Sequence, residues 1–445
     1  MAWNVLGGRR PASGVLRRIR EDLRDPLLRN GYALLANVGI TSALGFAYWV
    51  VAARLYPPEY LGLGNATIAL MQLLAGIAGQ PSIANALTRF VPRAGDRAMR
   101  LAVVSYGTAA LVGLVVSGLY VAATHLPLGV PALLGGGWTA ALVLAAAVTT
   151  WCVFSLQDAV LTGMRKAVWL PLENGVYGLA KIGLLVALVP VSLHYGIIAS
   201  WVVPAAVVIV PMSYLLFRVL LPRHMAASPA DADVPQPRSI ARFVGGDYLG
   251  SIFALAAVDL LPILVVARLG ALDNGFFSVP FLIIYSLELV TVNLGVALTV
   301  EGAHDRSQLR RNMVMVLRRT AVLVLPAVAV LLAVPGLVLS VFGSSYAENS
   351  STLLRLLALG VVAKAVTTLF FSLARVERRV GRIAVVEASR LVLLLGSAWW
   401  LMGELGLVGI GVAYLVTQFL VAAALVPSIV AVVRRAGATR RGTAG

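Results

Sequence analysis

Residues 263 to 269, Ile-Leu-Val-Val-Ala-Arg-Leu, echo residues 49 to 55, Trp-Val-Val-Ala-Ala-Arg-Leu. Arg268 follows Arg54 by 214 positions, and Glu387 follows Glu173 by the same interval. Ala86-Leu87-Thr88 recurs as Ala297-Leu298-Thr299 at an offset of 211, the small slip that one loop insertion or deletion produces. Each match alone is cheap in a chain rich in Ala, Leu and Val. Together they read as one module written twice. An even number of membrane crossings per module keeps the second copy in the orientation of the first.

The composition says what kind of module this is. Of 445 residues, 60% are hydrophobic and 12% are charged, so the chain repeatedly supplies the ~20-residue apolar stretches that a hydrocarbon core of about 30 Å demands. Twelve such runs, from 32–53 to 407–432, give about twelve transmembrane helices, six per half. The runs are continuous, whereas barrel strands alternate polar and apolar residues over about ten positions. The expected fold class is therefore all-α: a polytopic membrane protein of two six-helix bundles around a central cavity. The expected organisation is a polar N-terminal segment at 1–30, a first bundle at 31–221, a linker at 222–240, a second bundle at 241–433 and a tail at 434–445. Val15, Leu16, Ile19, Leu23 and Leu27 recur at helical spacing between arginines and predict an interfacial helix lying on the membrane. Pro222, Pro229, Pro235 and Pro237 give the linker the composition of a tether.

The net charge of +17 raises the question of a nucleic-acid partner, and the positions of the cations answer it. With a cytoplasmic N-terminus, 30 of the 36 Lys and Arg fall in the N-terminal segment, the inward loops, the linker and the tail, the pattern of the positive-inside rule. Such charge orients the chain and anchors it to anionic lipid. No nucleic acid is expected, and both termini are placed in the cytoplasm. The single cysteine, Cys152, sits in an apolar run and reads as a small core residue.

A charge inside hydrocarbon costs at least about 2.5 kcal/mol on insertion scales and normally faces a cavity or a partner. Lys181, Asp259, Glu288 and Lys364 fall near mid-depth, Glu173, Glu387 and Arg390 closer to the cytoplasmic side, and Asp158 and Asp247 within about two turns of it. Pairing between helices explains any one of them. The set predicts a polar cavity between the halves, where transporters with repeated halves place their substrate. Its mixed signs suit phosphate on the cations and sugar hydroxyls, cations or protons on the carboxylates. Arg54 and Arg268 lie at the outer ends of the first helix of each half, where they either snorkel or gate. Pro81, Pro171, Pro204, Pro211, Pro262, Pro280 and Pro326 are potential kinks, and Asp259 with Pro262 marks the expected bend at the cavity. Gly62-x-Gly64, Gly409-x-Gly411, Gly246 and Gly250 read as close-packing positions.

No Walker loop, Gly-x-Ser-x-Gly elbow or His-Glu-x-x-His is present, and His125, His194, His224 and His304 are scattered. An enzyme is disfavoured, and no cofactor or metal is expected. A membrane-embedded polymerase or glycosyltransferase would need a larger outer loop or cytosolic domain than these loops provide.

Arg54-Leu55-Tyr56-Pro57-Pro58-Glu59-Tyr60-Leu61-Gly62 resembles the first outer-loop signature of bacterial polysaccharide-biosynthesis membrane proteins, the Wzx-like oligosaccharide flippases. Arg268-Leu269-Gly270 through Gly275-Phe276 resembles its second-half counterpart, and Leu161 to Lys166 with Pro171 to Asn174 and Lys181 is similar to the inner loop and fifth helix there. The family shares a superfamily with multidrug and toxin extruders. The resemblance implies a cell-membrane transporter that flips a polyprenyl-diphosphate-linked oligosaccharide from inner to outer leaflet by rocking two bundles, open to coupling to a proton or cation gradient. It also implies basic residues against the diphosphate, for which depth selects Lys181, Lys364 and Arg390. The alternative is a cation-coupled multidrug or metabolite antiporter of the same architecture, with a cavity dominated by Asp259 and Glu288 and little need of Lys181 or Lys364.

Overall fold

A computed structural model describes residues 25–126, 131–135, 137–227, 236–304, 309–376 and 380–442. The expected interfacial helix lies almost wholly outside these residues. Every regular element among them is helical: α1 Pro26–Leu55, α2 Pro58–Ile77, α3 Gln80–Phe90, α4 Ala98–Thr124, α5 Trp138–Gly163, α6 Leu170–Leu188, α7 Leu193–Leu215, α8 Leu221–Ala226, α9 Pro237–Leu269, α10 Ala271–His304, α11 Leu309–Ala333, α12 Pro335–Ser340, α13 Ser344–Val376, α14 Val380–Leu405 and α15 Leu407–Gly442. Apolar chain in lipid has no water to satisfy its backbone, so helices that bond internally are the form open to it. The breaks fall where that bonding fails. Pro57 and Pro58 separate α1 from α2, and Gly79, at φ +82°, turns the chain between α2 and α3, a conformation that costs glycine nothing.

Eleven helices among the described residues are long and apolar enough to cross a membrane, one fewer than the twelve runs. The missing one is α6, which is 19 residues long and carries Glu173, Asn174 and Lys181. Those polar groups lower its hydropathy, and they are buried. The second run is divided at Gly79 into α2 and α3, whereas α10 continues unbroken for 34 residues. Helix extends into both sides of the 222–240 stretch, as α8 to Ala226 and α9 from Pro237, and α15 runs past 433 to Gly442. Pro222 lies within the continuous helix that runs from Leu193 through a π-helical turn at Leu216–Leu220 to Ala226, whereas Pro237 occupies the first turn of α9, where a missing N–H costs no helical hydrogen bond. Pro81 and Pro171 do the same in α3 and α6; Pro204, Pro211, Pro262, Pro280 and Pro326 lie inside helices.

In the first half α1 packs on α6, α4 on α5, α3 on α5, and α7 on α5 and α6; in the second, α10, α13 and α15 form the centre with α9, α11 and α14 around it. The halves meet along α2, which packs on both α9 and α10, and along α3, which packs on α9. Near the Arg54 end this seam is at its closest. A Cβ on Gly62 would stand 2.0 Å from the Ala271 carbonyl oxygen and 2.4 Å from the Gly275 nitrogen, and one on Gly275 2.0 Å from the Pro58 carbonyl oxygen. The Asn274 amide donates to the Gly62 carbonyl at 2.7 Å across the same crossing. Phe46 meets Phe342 edge-on at 5.6 Å between the halves.

The packing glycines divide accordingly. Gly62 against Gly275, Gly64 against Ile197, Gly409 against the Leu401 carbonyl and Gly411 against Leu353 and Leu356 are all close approaches. Gly246 and Gly250 are not, since a Cβ at either would meet nothing within 4 Å.

Candidate functional site

A cavity of about 140 Å³ lies between the halves. Asn65, Ile68, Ala69 and Gln72 reach it from α2, and Ser278, Phe281, Leu282 and Tyr285 from α10. Both sets follow the i, i+3, i+4, i+7 spacing of a single helix face. Trp49 of α1, Trp201 of α7, and Val258, Asp259 and Pro262 of α9 complete the wall. Pro262 has no N–H to give to the Val258 carbonyl one turn back. The expected pairing of Asp259 and Pro262 thus falls on the cavity itself.

Two buried polar atoms of the wall residues have no hydrogen-bond partner: Asp259 Oδ2 and Asn65 Oδ1. Leaving such groups unpaired costs about 1–3 kcal/mol each, more for a charged one. Asp259 is 6% exposed. Carboxylate and amide side chains and aromatic rings thus line one space, the arrangement of a small-molecule site with a few polar groups among apolar walls.

Lys181 lies beside this cavity and does not line it. Its Nζ stands 4.1 Å from the centre of the Trp201 ring, 4.6 Å from Tyr48 and 5.2 Å from Tyr177. Tyr177 and Lys181 are one turn apart on α6 and share a face. Tyr48 is held by its hydroxyl, which bonds the Ser200 hydroxyl at 2.8 Å. A desolvated cation–π contact contributes about 2 kcal/mol, comparable to the insertion cost of the charge. The rings do for Lys181 what a carboxylate does elsewhere. Glu173, two turns before it, is 2% exposed and both its carboxylate oxygens lack partners; its neighbour Asn174 donates to Asp158 at 3.2 Å.

The second half matches its charges internally. Lys364 Nζ lies 3.5 Å from Glu288, and the Tyr414 hydroxyl donates to the same carboxylate. Arg390 Nε donates to Glu387 at 2.9 Å one turn back on α14. The structure therefore sorts the expected set into three places: Asp259 in the cavity between halves, Lys181 and Glu173 inside the first bundle, and Glu288, Lys364, Glu387 and Arg390 inside the second. Asp247 bonds Asn85 and Ser251 at the α3–α9 contact.

Arg54 and Arg268 diverge despite their matching positions. Arg54 crosses to the other half, donating from Nε to the Val341 carbonyl at 2.9 Å and from Nη2 to the Ser340 carbonyl at 2.8 Å. Arg268 stays in its own half, its guanidinium 5.1 Å from the centre of the Trp399 ring and packed into the space left by Gly403. Sequence reasoning missed Trp49, Trp201, Tyr285, Asn65 and Gln72. Aromatic residues in apolar runs look like core, and the only signal available was the face-by-face spacing in α2 and α10.

The helical order and the seam between halves define a fold of membrane-length helices in two bundles with a cavity between them. No protein-family model matches the sequence, and no curated protein matches it. Among solved structures, the chain is similar to an inward-facing multidrug resistance MATE family transporter of the MOP superfamily, at 15% identity over 92% of this chain and 99% of that one, with a TM-score of 0.70. It is similar to an outward-facing MATE family transporter at 15% identity, 94% and 97% coverage and a TM-score of 0.62. A MOP superfamily transporter from Pyrococcus furiosus, described as having a binding pocket of reverse polarity, is similar at 14% identity, 93% and 96% coverage and a TM-score of 0.59. These likenesses show the fold alone.

Proposed function

We propose that the chain is an alternating-access transporter that carries a polyprenyl-diphosphate-linked oligosaccharide from the inner to the outer leaflet. The observation that carries this reading is the cavity between the halves, with Asp259, Asn65 and Gln72 set among Trp49, Trp201 and Tyr285. Carboxylate and amide groups bond sugar hydroxyls, and aromatic faces cover the apolar faces of sugar rings. Closure of the Arg54 end by Gly62, Gly275 and Arg54 supports a resting state open toward the basic end, and so does the higher TM-score to the inward-facing structure. The positive-inside rule makes the basic end cytoplasmic. At about 140 Å³ the cavity is smaller than the roughly 300–1,000 Å³ of sites that enclose drug-sized ligands, so this reading requires it to widen when loaded.

A second reading is favoured by one observation. An unpartnered carboxylate among four aromatic residues also suits an organic cation, while Lys364 and Arg390 are already paired. Reconstituted vesicles decide between them. Fluorescent lipid-linked oligosaccharide should become accessible in the opposite leaflet with wild-type protein and lose at least about tenfold in rate with Asp259→Asn. Saturable, Asp259-dependent uptake of tetraphenylphosphonium with no movement of the sugar lipid would put the antiporter in first place.

A further inference from the structure

The Trp201 indole belongs to two sites at once. It is the nearest ring to the Lys181 ammonium, at 4.1 Å, and it forms part of the cavity wall with Asp259. Its Nε1–H lies near the Tyr48 hydroxyl without a well-aligned hydrogen bond to it, so the ring is held mainly by packing against Tyr48, Trp49 and Trp151. On α7 the next turn contains Pro204, which has no N–H for the Ser200 carbonyl; the turn carrying Trp201 is therefore tied by one bond fewer than its neighbours.

Lys181 differs from the other buried cations of the bundles. Lys364 has Glu288 and Arg390 has Glu387, whereas Lys181 has rings alone around it and is 6% exposed. A cation held only by aromatic faces can take an anion without first giving up a carboxylate. Trp201 is the ring that both touches Lys181 and lines the cavity.

We propose that Trp201 is a shutter: turned aside, it joins the Lys181 pocket to the Asp259 cavity, so that Lys181 holds an anionic oxygen group of the substrate while its uncharged polar part stays against Asp259, Asn65 and Gln72. This rests on the transport reading above and adds the residue that decides when the anion is admitted. Trp201 is a positioning residue; Lys181 is the binding residue. The combined site takes one molecule with a phosphate-type group at one end and hydroxyls at the other. It also supplies the extra room that the closed cavity lacks.

The test uses full-length protein in detergent with inorganic pyrophosphate as the probe, followed by calorimetry. Trp201→Ala should bind pyrophosphate at least about tenfold more tightly than wild type, Trp201→Phe should fall between them, and Trp201→Ala with Lys181→Gln should lose the gain. Equal affinity in wild type and Trp201→Ala, or a gain that survives Lys181→Gln, overturns the proposal. Because Trp201→Ala removes a large buried ring, a second measurement avoids dependence on its folding. In protein carrying Cys152→Ser and Lys181→Cys, a negatively charged methanethiosulfonate should label residue 181 about tenfold faster when Trp201→Phe is added, and an unchanged rate counts against the shutter. The two readings fail separately. Lys181-dependent pyrophosphate binding without flipping of lipid-linked sugar keeps the shutter and removes the flippase; flipping with no effect of Trp201 does the reverse.

Discussion

A Cβ placed on Gly62 would stand 2.4 Å from the backbone nitrogen of Gly275, so the two halves of the protein touch backbone to backbone near the Arg54 end. Gly62→Ala and Gly275→Ala should each force α2 and α10 apart there, because the opposing atoms are backbone and cannot swing away. The expected outcome is a tenfold or greater loss of transport and faster thiol labelling of probes placed near residue 58. Gly250→Ala is the control: nothing lies within 4 Å of its Cβ position, and a helical alanine should leave transport intact and raise stability by about 0.5–1 kcal/mol, read as a higher melting temperature.

Arg54 adds a second tie across the same end through the Ser340 and Val341 carbonyls. Two charge-assisted bonds at an exposed position are worth about 1–2 kcal/mol, so Arg54→Ala should shift the balance away from the Arg54-closed state by about 5- to 30-fold. Distances between spin labels on α1 and α13 report the shift. Arg268→Ala should leave that distribution unchanged, since Arg268 contacts Trp399 of its own half.

The Glu288–Lys364–Tyr414 cluster should behave as a structural lock of the second bundle. Lys364→Met alone leaves a buried carboxylate without its cation and should destabilise by about 3 kcal/mol or more. Lys364→Met with Glu288→Gln should recover most of that loss, because both charges are gone. Recovery of stability together with transport in the double variant would assign the pair to packing; recovered stability with transport still lost would assign it to substrate.

Asp259→Asn keeps the shape of the cavity wall and removes the charge. It should leave the melting temperature unchanged or slightly higher, as an uncompensated buried carboxylate is relieved, while transport falls. Opposite signs for stability and activity are the mark of a group kept for function.

The helical character and the membrane-length spans were written in the chain at low resolution. The twelve apolar runs and the one-sided arginines foretold an all-helical membrane protein, and Gly62, Gly64, Gly409 and Gly411 were legible as contact points because small residues in lipid mean close helices. Gly246 and Gly250 carried the same signal and pack against nothing.

What sequence alone determined is the period, the polarity and the insertion pattern, because these depend on each residue's own transfer free energy and its neighbours along one helix. What only the tertiary structure decided is which charges meet. Glu173 and Glu387 stand 214 positions apart in matching helices, yet one has no partner and the other holds Arg390. Arg54 bridges the halves while Arg268 does not. Pairing is set by the rotation and depth of helices from distant parts of the chain, and an aromatic such as Trp201 gains its two roles only when α1, α6, α7, α9 and α10 come together around it.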